Sequence, residues 1–166
     1  MEIRANLVIG SNGAMSLGGS SRGLSSTSDR SRFHEIRSWC DAILIGGQTS
    51  RTAPYARTPV PLYVWSTETE LTGSAAENPV ARSSSKPLGA LLAEIRDGGV
   101  QRLLCEGGPL LISALLESNQ LEGLYLTRTD RAGDGNFLNL DQIANNFREE
   151  SRTETDGEIF SFLVKN

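Results

Sequence analysis

Two stretches of this chain place paired glycines directly after an apolar run: Ile45-Gly46-Gly47-Gln48-Thr49 and Cys105-Glu106-Gly107-Gly108-Pro109. Where a strand turns into a helix, the helix N-terminus offers unpaired N–H groups and the positive end of its dipole. That suits a phosphate or pyrophosphate. Glycine lets the backbone approach such a group closely. Either junction alone is ordinary turn chemistry; two in one small domain point to a dinucleotide held between them. Neither a GxxxxGK[ST] loop nor a strand–GxGxxG–helix fingerprint occurs, so a dinucleotide would bind in another way. Glu106 stands at a strand end, where it either meets ligand or complements the dipole of the following helix.

The remaining reactive residues are few. Cys40 and Cys105 lie far apart, no CxxC pair occurs, and His34 is the single histidine, so no metal site built from Cys or His is expected. Both cysteines sit in apolar surroundings and read as buried free thiols. His34 falls mid-helix between charged neighbours and reads as a partly exposed structural residue. No GxSxG elbow presents a nucleophilic serine.

The elements that must position these residues follow from hydrophobic periodicity. Strands are predicted at Ile3–Ile9, Ala42–Ile45, Pro61–Ser66, Val100–Cys105 and Leu121–Arg128. A helix runs from caps among Ser26–Asp29 to about Trp39, with Phe33, Ile36 and Cys40 on its apolar face. A second runs from Pro87 to about Gly98 on a stripe of Leu88, Leu91, Leu92 and Ile95, and a third spans Leu110–Glu117. Gly47–Ser50 opens a helical turn, and a weak helix lies near Leu140–Phe147. Residues 10–26, rich in Gly and Ser, read as a folded but irregular loop, and 129–136 as a polar connection. Arg148–Thr155 and Glu158–Lys165 flank Asp156-Gly157, a strong hairpin signal. Alternating strands and helices indicate one α/β domain over 1–166. Its mixed, mostly parallel central sheet is flanked by helices and carries an antiparallel C-terminal hairpin.

The 166 residues suffice for a single core, and 16 Lys+Arg against 20 Asp+Glu give a net charge of −4. An acidic balance argues against nucleic acid as a partner. No apolar run could span a bilayer, and Met1-Glu2-Ile3-Arg4 lacks a signal-peptide pattern, so the expected location is the cytoplasm.

The same residues carry a family resemblance. Gly23-Leu24-Ser25-Ser26, Phe33-His34-Glu35-Ile36-Arg37, Asp41 to Thr49, and Leu104-Cys105-Glu106-Gly107-Gly108-Pro109-Leu110-Leu111 resemble, in order and spacing, one known domain. It is the reductase domain of the bifunctional riboflavin-biosynthesis deaminase/reductase, of the dihydrofolate reductase-like fold. The likeness runs from about Asn6 to Arg128. It implies NADPH across the two glycine junctions, with Thr49 and the Gly46-Gly47 backbone at the adenosine-phosphate half. Gly107, Gly108, Pro109, Leu110 and Leu111 would cradle the pyrophosphate. Catalytic positions would be Asn12 and Glu106, and substrate contacts Asn12, Ser21, Arg37 and Glu106. The implied reaction reduces a phosphorylated ribosylamino-pyrimidine to its ribitylamino form, by hydride addition to the sugar C1 of the ring-opened imine. Arg22, Arg37, Arg51 and Arg57 are candidates for the substrate phosphate, Arg37 foremost. The resemblance also implies a homodimer.

The chain departs from the family at two places. Asn12, in Gly10-Ser11-Asn12-Gly13, stands where the family commonly has an acid, and an amide orients but does not titrate. Ser50–Tyr55 lacks the acids that usually follow the Thr49 position. The zinc deaminase signature is missing, so another chain would supply that step, and the polar stretch 67–86 is where extra family structure is expected to be trimmed. Two further functions stay open: a reductase of the same fold for another heterocycle such as a pterin, and a nucleotide-binding protein without catalysis.

Overall fold

The computed structural model describes all residues, Met1–Asn166. In chain order its elements are β1 (Glu2–Ile9), β2 (Ala14–Ser16), α1 (Thr27–Arg37), β3 (Ala42–Gly46), α2 (Gly47–Thr52), β4 (Leu62–Trp65) and β5 (Ala81–Ser84). They continue with α3 (Leu88–Asp97), β6 (Arg102–Cys105), α4 (Pro109–Glu117), β7 (Gly123–Arg128), β8 (Gly135–Phe137), α5 (Leu140–Asn146), β9 (Phe147–Thr155) and β10 (Glu158–Lys165). The central strands are apolar on both faces, as parallel strands covered on both sides must be; Ala42, Ile43, Leu44 and Ile45 are all fully buried.

Eight strands form one sheet in the order β5-β4-β3-β6-β1-β7-β10-β9. The six from β5 to β7 pair in parallel. The last two join antiparallel through the hairpin. Asp156 and Gly157 both adopt positive φ, 53° and 79°, as the favoured two-residue hairpin turn requires. The mostly parallel sheet with an antiparallel C-terminal hairpin is therefore as expected.

Helices cover both faces. Leu88, Leu91, Leu92 and Ile95 of α3, Leu111, Ile112 and Leu115 of α4, and Ile143 of α5 pack on one side. On the other, Ile36 at the end of α1 joins Cys40, Ile43, Ile45, Tyr55, Leu62, Val64, Ala75 and Leu104. Ser26 caps α1, accepting from the Asp29 N–H at 3.0 Å.

Three segments carry more order than their sequences announce. The glycine-serine loop contains β2, which pairs with β8 of the supposed polar connection (Ala14 opposite Phe137, Ser16 opposite Gly135). Residues 67–86 hold a 3-10 turn at Gly73–Glu77 and the edge strand β5. No helix is long and apolar enough to cross a membrane.

The topology fixes where a ligand fits. From β3 the chain moves outward to β4, whereas from β6 it passes over β1 to β7, so the order reverses between β3 and β6. Such a switch point opens a crevice beyond the carboxyl ends of the strands. Leu44 lies opposite Cys105, and the Glu106 N–H donates to the Leu44 carbonyl at 3.0 Å. Both glycine junctions therefore meet at this crevice.

Candidate active site

Each junction divides its labour between two glycines. Gly46 is the N-cap of α2 and Gly108 the N-cap of α4, and neither helix has a side-chain cap. A Cβ added at Gly46 or Gly108 would meet nothing within 4 Å. One at Gly47 would lie 2.5 Å from Ser66 Oγ, and one at Gly107 2.6 Å from Leu111 Cδ2. Gly47 and Gly107 are thus demanded by the protein's own packing, while Gly46 and Gly108 keep open space above uncapped helix ends. Pro109 occupies the first turn of α4, where its missing N–H costs nothing. Leu110 is 84% exposed at that helix end, whereas Leu111 is buried, so only the backbone of Leu111 is available to a ligand. Thr49 lies half-buried in α2.

Beside the glycines sits a buried charged cluster. Period-two alternation along β6 sends Cys105 to the α3–α4 side and Glu106, just beyond the strand, to the α1 side. There the Glu106 carboxylate accepts from Arg37 Nε at 2.8 Å, Arg37 Nη2 at 2.7 Å and the Tyr55 hydroxyl at 2.8 Å. The Glu106 and Arg37 side chains are 3% and 10% exposed. Burial opposes the Arg37 charge, but the bonds and charge of Glu106 outweigh it and hold the guanidinium above its usual range. Burial, then the Glu106 charge, pushes the Tyr55 phenol well above the usual range, so it stays a donor. The guanidinium also stacks 4.2 Å from the Phe33 ring. A buried ion pair is rarely a net source of stability, so folding alone does not account for this cluster.

Arg37 also faces outward. With His34, Ser38, Arg57, Thr58 and Pro59 it lines a cleft of about 510 Å³. Its bidentate grip on Glu106 uses Nε and Nη2, and Nη1 makes no bond to Glu106. The arginine expected at a phosphate is thus first a partner of Glu106, with one nitrogen to spare. Arg57 shares the cleft; Arg22 does not line it, and Arg51 is paired at 3.5 Å with Glu68 on the surface. His34 is exposed at the same cleft.

Asn12 lies on the surface with its amide engaged: Nδ2 donates to the Gly133 carbonyl at 2.9 Å, and Oδ1 accepts from the Gly133 N–H at 3.0 Å. It fastens the loop after β1 to the one after β7. Ser21 is exposed and opens the 3-10 turn Ser21–Gly23. Neither is brought into the Glu106 cluster. Both cysteines are free and buried. Tyr55 is the residue that sequence reasoning missed; a buried aromatic beside Pro54 carries no local signal of its partner.

No curated protein matches the sequence. Among solved structures, a pyrimidine reductase-like protein from Corynebacterium diphtheriae superposes with a TM-score of 0.77 at 18% identity, covering 99% of this chain and 92% of that one. A diaminohydroxyphosphoribosylaminopyrimidine deaminase/5-amino-6-(5-phosphoribosylamino)uracil reductase from Thermotoga maritima gives 0.75 at 14% identity. It is matched over 99% of this chain, which spans 56% of that protein's length. A dihydrofolate reductase from Enterococcus faecalis complexed with NADP(H) gives 0.73 at 14%, covering 99% and 96%. The fold is therefore dihydrofolate reductase-like. The glycine junctions and Glu106, which frame the crevice, fall inside the stretch that decides kinship: residues 12–127 match the RibD C-terminal domain, and this chain belongs to that family.

Proposed function

We propose that this chain is an NADPH-dependent reductase of riboflavin biosynthesis, acting on a phosphorylated 5-amino-6-ribosylaminouracil and converting its ribosylamino side chain to ribitylamino. The observation that carries this reading is the convergence, at one switch point, of two open N-cap glycines and a buried carboxylate. That carboxylate's arginine opens onto a cationic cleft. The open space above Gly46 and Gly108 and the uncapped α4 N-terminus fit a dinucleotide, with the pyrophosphate at the first turn of α4 and Thr49 toward the adenosine-phosphate half. When bound, NADPH supplies the hydride. Arg37 Nη1 and Arg57 hold the substrate phosphate in the cleft. Glu106 faces the ribosylamino group and balances positive charge on the imine nitrogen while C1 is reduced. The fold's part is to hold donor and acceptor carbons in contact and exclude water. Ser21 and Asn12 contact the substrate from the segments that follow β2 and β1, Asn12 as an orienting amide. The working unit is a homodimer.

Fluorescence titration with NADPH tests the first half: saturable binding is expected, and none at millimolar cofactor removes every reductase reading. Oxidation of NADPH with the ribosylaminouracil phosphate, but not with dihydrofolate, is the expected second result. Turnover of dihydrofolate alone would move the assignment to a pterin, and binding without turnover on either would leave a non-catalytic nucleotide binder.

A further inference from the structure

Within the cluster, the bond from Tyr55 exceeds what folding needs. The Tyr55 ring belongs to the apolar group of Ile43, Ile45, Leu62 and Val64, and a phenylalanine would fill that space equally well. A buried hydroxyl is tolerated only with a partner, and the partner here is a carboxylate rather than a backbone carbonyl. An ionised carboxylate offers about four acceptor positions. Arg37 Nε takes one on Oε1; Arg37 Nη2 and the Tyr55 hydroxyl take both on Oε2. One position, on Oε1, remains.

Tyr55 is itself held from outside the cluster. Its N–H donates to Ser74 Oγ at 2.7 Å, and its carbonyl accepts from Asn78 Nδ2 at 2.9 Å. Asn78 also donates to Thr58 Oγ1 at 3.0 Å, so one buried amide fixes both the tyrosine and a wall of the cationic cleft. The phenol is thus anchored through residues 73–78, independently of α1 and β6, which carry the other two members.

We propose that Tyr55 is a positioning residue for the reduction: by saturating Glu106 Oε2, its hydroxyl leaves one acceptor on Oε1 to meet the substrate. This rests on the reductase function proposed above. Arg37 fixes the plane of the carboxylate, and Tyr55 fixes which oxygen is free. Without the hydroxyl the carboxylate charge is no longer aimed at the imine, so stabilisation is lost as C1 is reduced while ground-state binding of the substrate is kept.

The test is Tyr55→Phe in the full chain, with NADPH affinity, kcat, KM and melting temperature measured together. The expected result is NADPH binding as in the wild type and a melting temperature lower by a few degrees. kcat should fall about tenfold or more, the factor associated with one hydrogen bond to a charged group, with little change in KM. A purely structural tyrosine would move the melting temperature without that split. In a Glu106→Gln background, adding Tyr55→Phe should change kcat by less than about twofold, because residues acting through one another are not additive. An active wild type with Tyr55→Phe retaining kcat within about twofold overturns the role of Tyr55 alone, as do fully additive losses in the double variant. A wild type that does not reduce the ribosylaminouracil phosphate overturns the reductase function and this role with it.

Discussion

Cys105 and Glu106 are consecutive residues with opposite surroundings, and the contrast has a consequence for pH. Burial, with a lesser contribution from the Glu106 charge, pushes the Cys105 thiol up to about 12 and the Cys40 thiol up to about 11, from an ordinary 9.0. A group whose folded pKa is raised contributes stability that is fully present below the unfolded value and lost as pH rises through the folded one. Here that window runs from about pH 9 to about 11–12. Each thiol subtracts about 1.4 kcal/mol per pH unit in that range. Tyr55, raised in the same direction, adds to the loss. Melting temperatures recorded from about pH 8 to about pH 11 should fall more steeply for the wild type than for a Cys40→Ala/Cys105→Ala variant. Coincident slopes would mean the thiols are not the buried neutral groups described. Below pH 8 the same burial keeps both thiols poor nucleophiles.

At the scale of elements, the two glycines of each junction make separable predictions. Gly108→Val projects into open space, so the fold should be retained while NADPH affinity drops at least about tenfold as the side chain blocks the α4 N-terminus. Gly47→Val must displace Ser66, whose Oγ and Cβ lie 2.5 and 2.9 Å from the new Cβ, and should cost about 1–3 kcal/mol of stability before any ligand is added. Normal NADPH binding by Gly108→Val would mean the pyrophosphate lies elsewhere. The junctions themselves were legible because each follows an apolar run that can only be a buried strand. Which glycine of a pair leaves open space was not, since it depends on Ser66 and Leu111 arriving from elsewhere in the fold. The same limit hid β5 and β8: Ala-Arg-Ser-Ser and Gly-Asn-Phe carry no alternation, and they are strands only because β4 and β2 offer them pairing partners. Glu106 and Arg37 were both singled out by sequence, yet not as each other's partner, and Tyr55 lies 51 residues from the carboxylate it touches. Contacts between distant, polar segments leave no periodic trace.

At the scale of the whole molecule, the family match ends at residue 127, but the fold does not. β10 pairs with β7 from Ile159 opposite Arg128 to Val164 opposite Gly123, and β9 shields its other edge. The hairpin also reaches the site's framework: Glu158 accepts from Ser26, the N-cap of α1, and Ser161 accepts from Arg32 of α1 through its carbonyl at 3.0 Å. α1 carries Arg37, so the position of the cationic cleft is tied to strands that lie outside the matched stretch. Removing residues 147–166 deletes the buried side chains of Phe147, Phe160 and Leu163, worth together about 5–9 kcal/mol at 1.5–3 kcal/mol each. That is comparable to the whole stability of a typical domain, about 5–15 kcal/mol. It also strips β7 of a partner and exposes a new sheet edge. The shortened chain should therefore show no cooperative thermal transition, aggregate on concentration and bind no NADPH. Circular dichroism melting with a parallel cofactor titration decides it. A truncated chain that melts cooperatively and still saturates with NADPH would show that α1 and the crevice are held by the parallel strands alone.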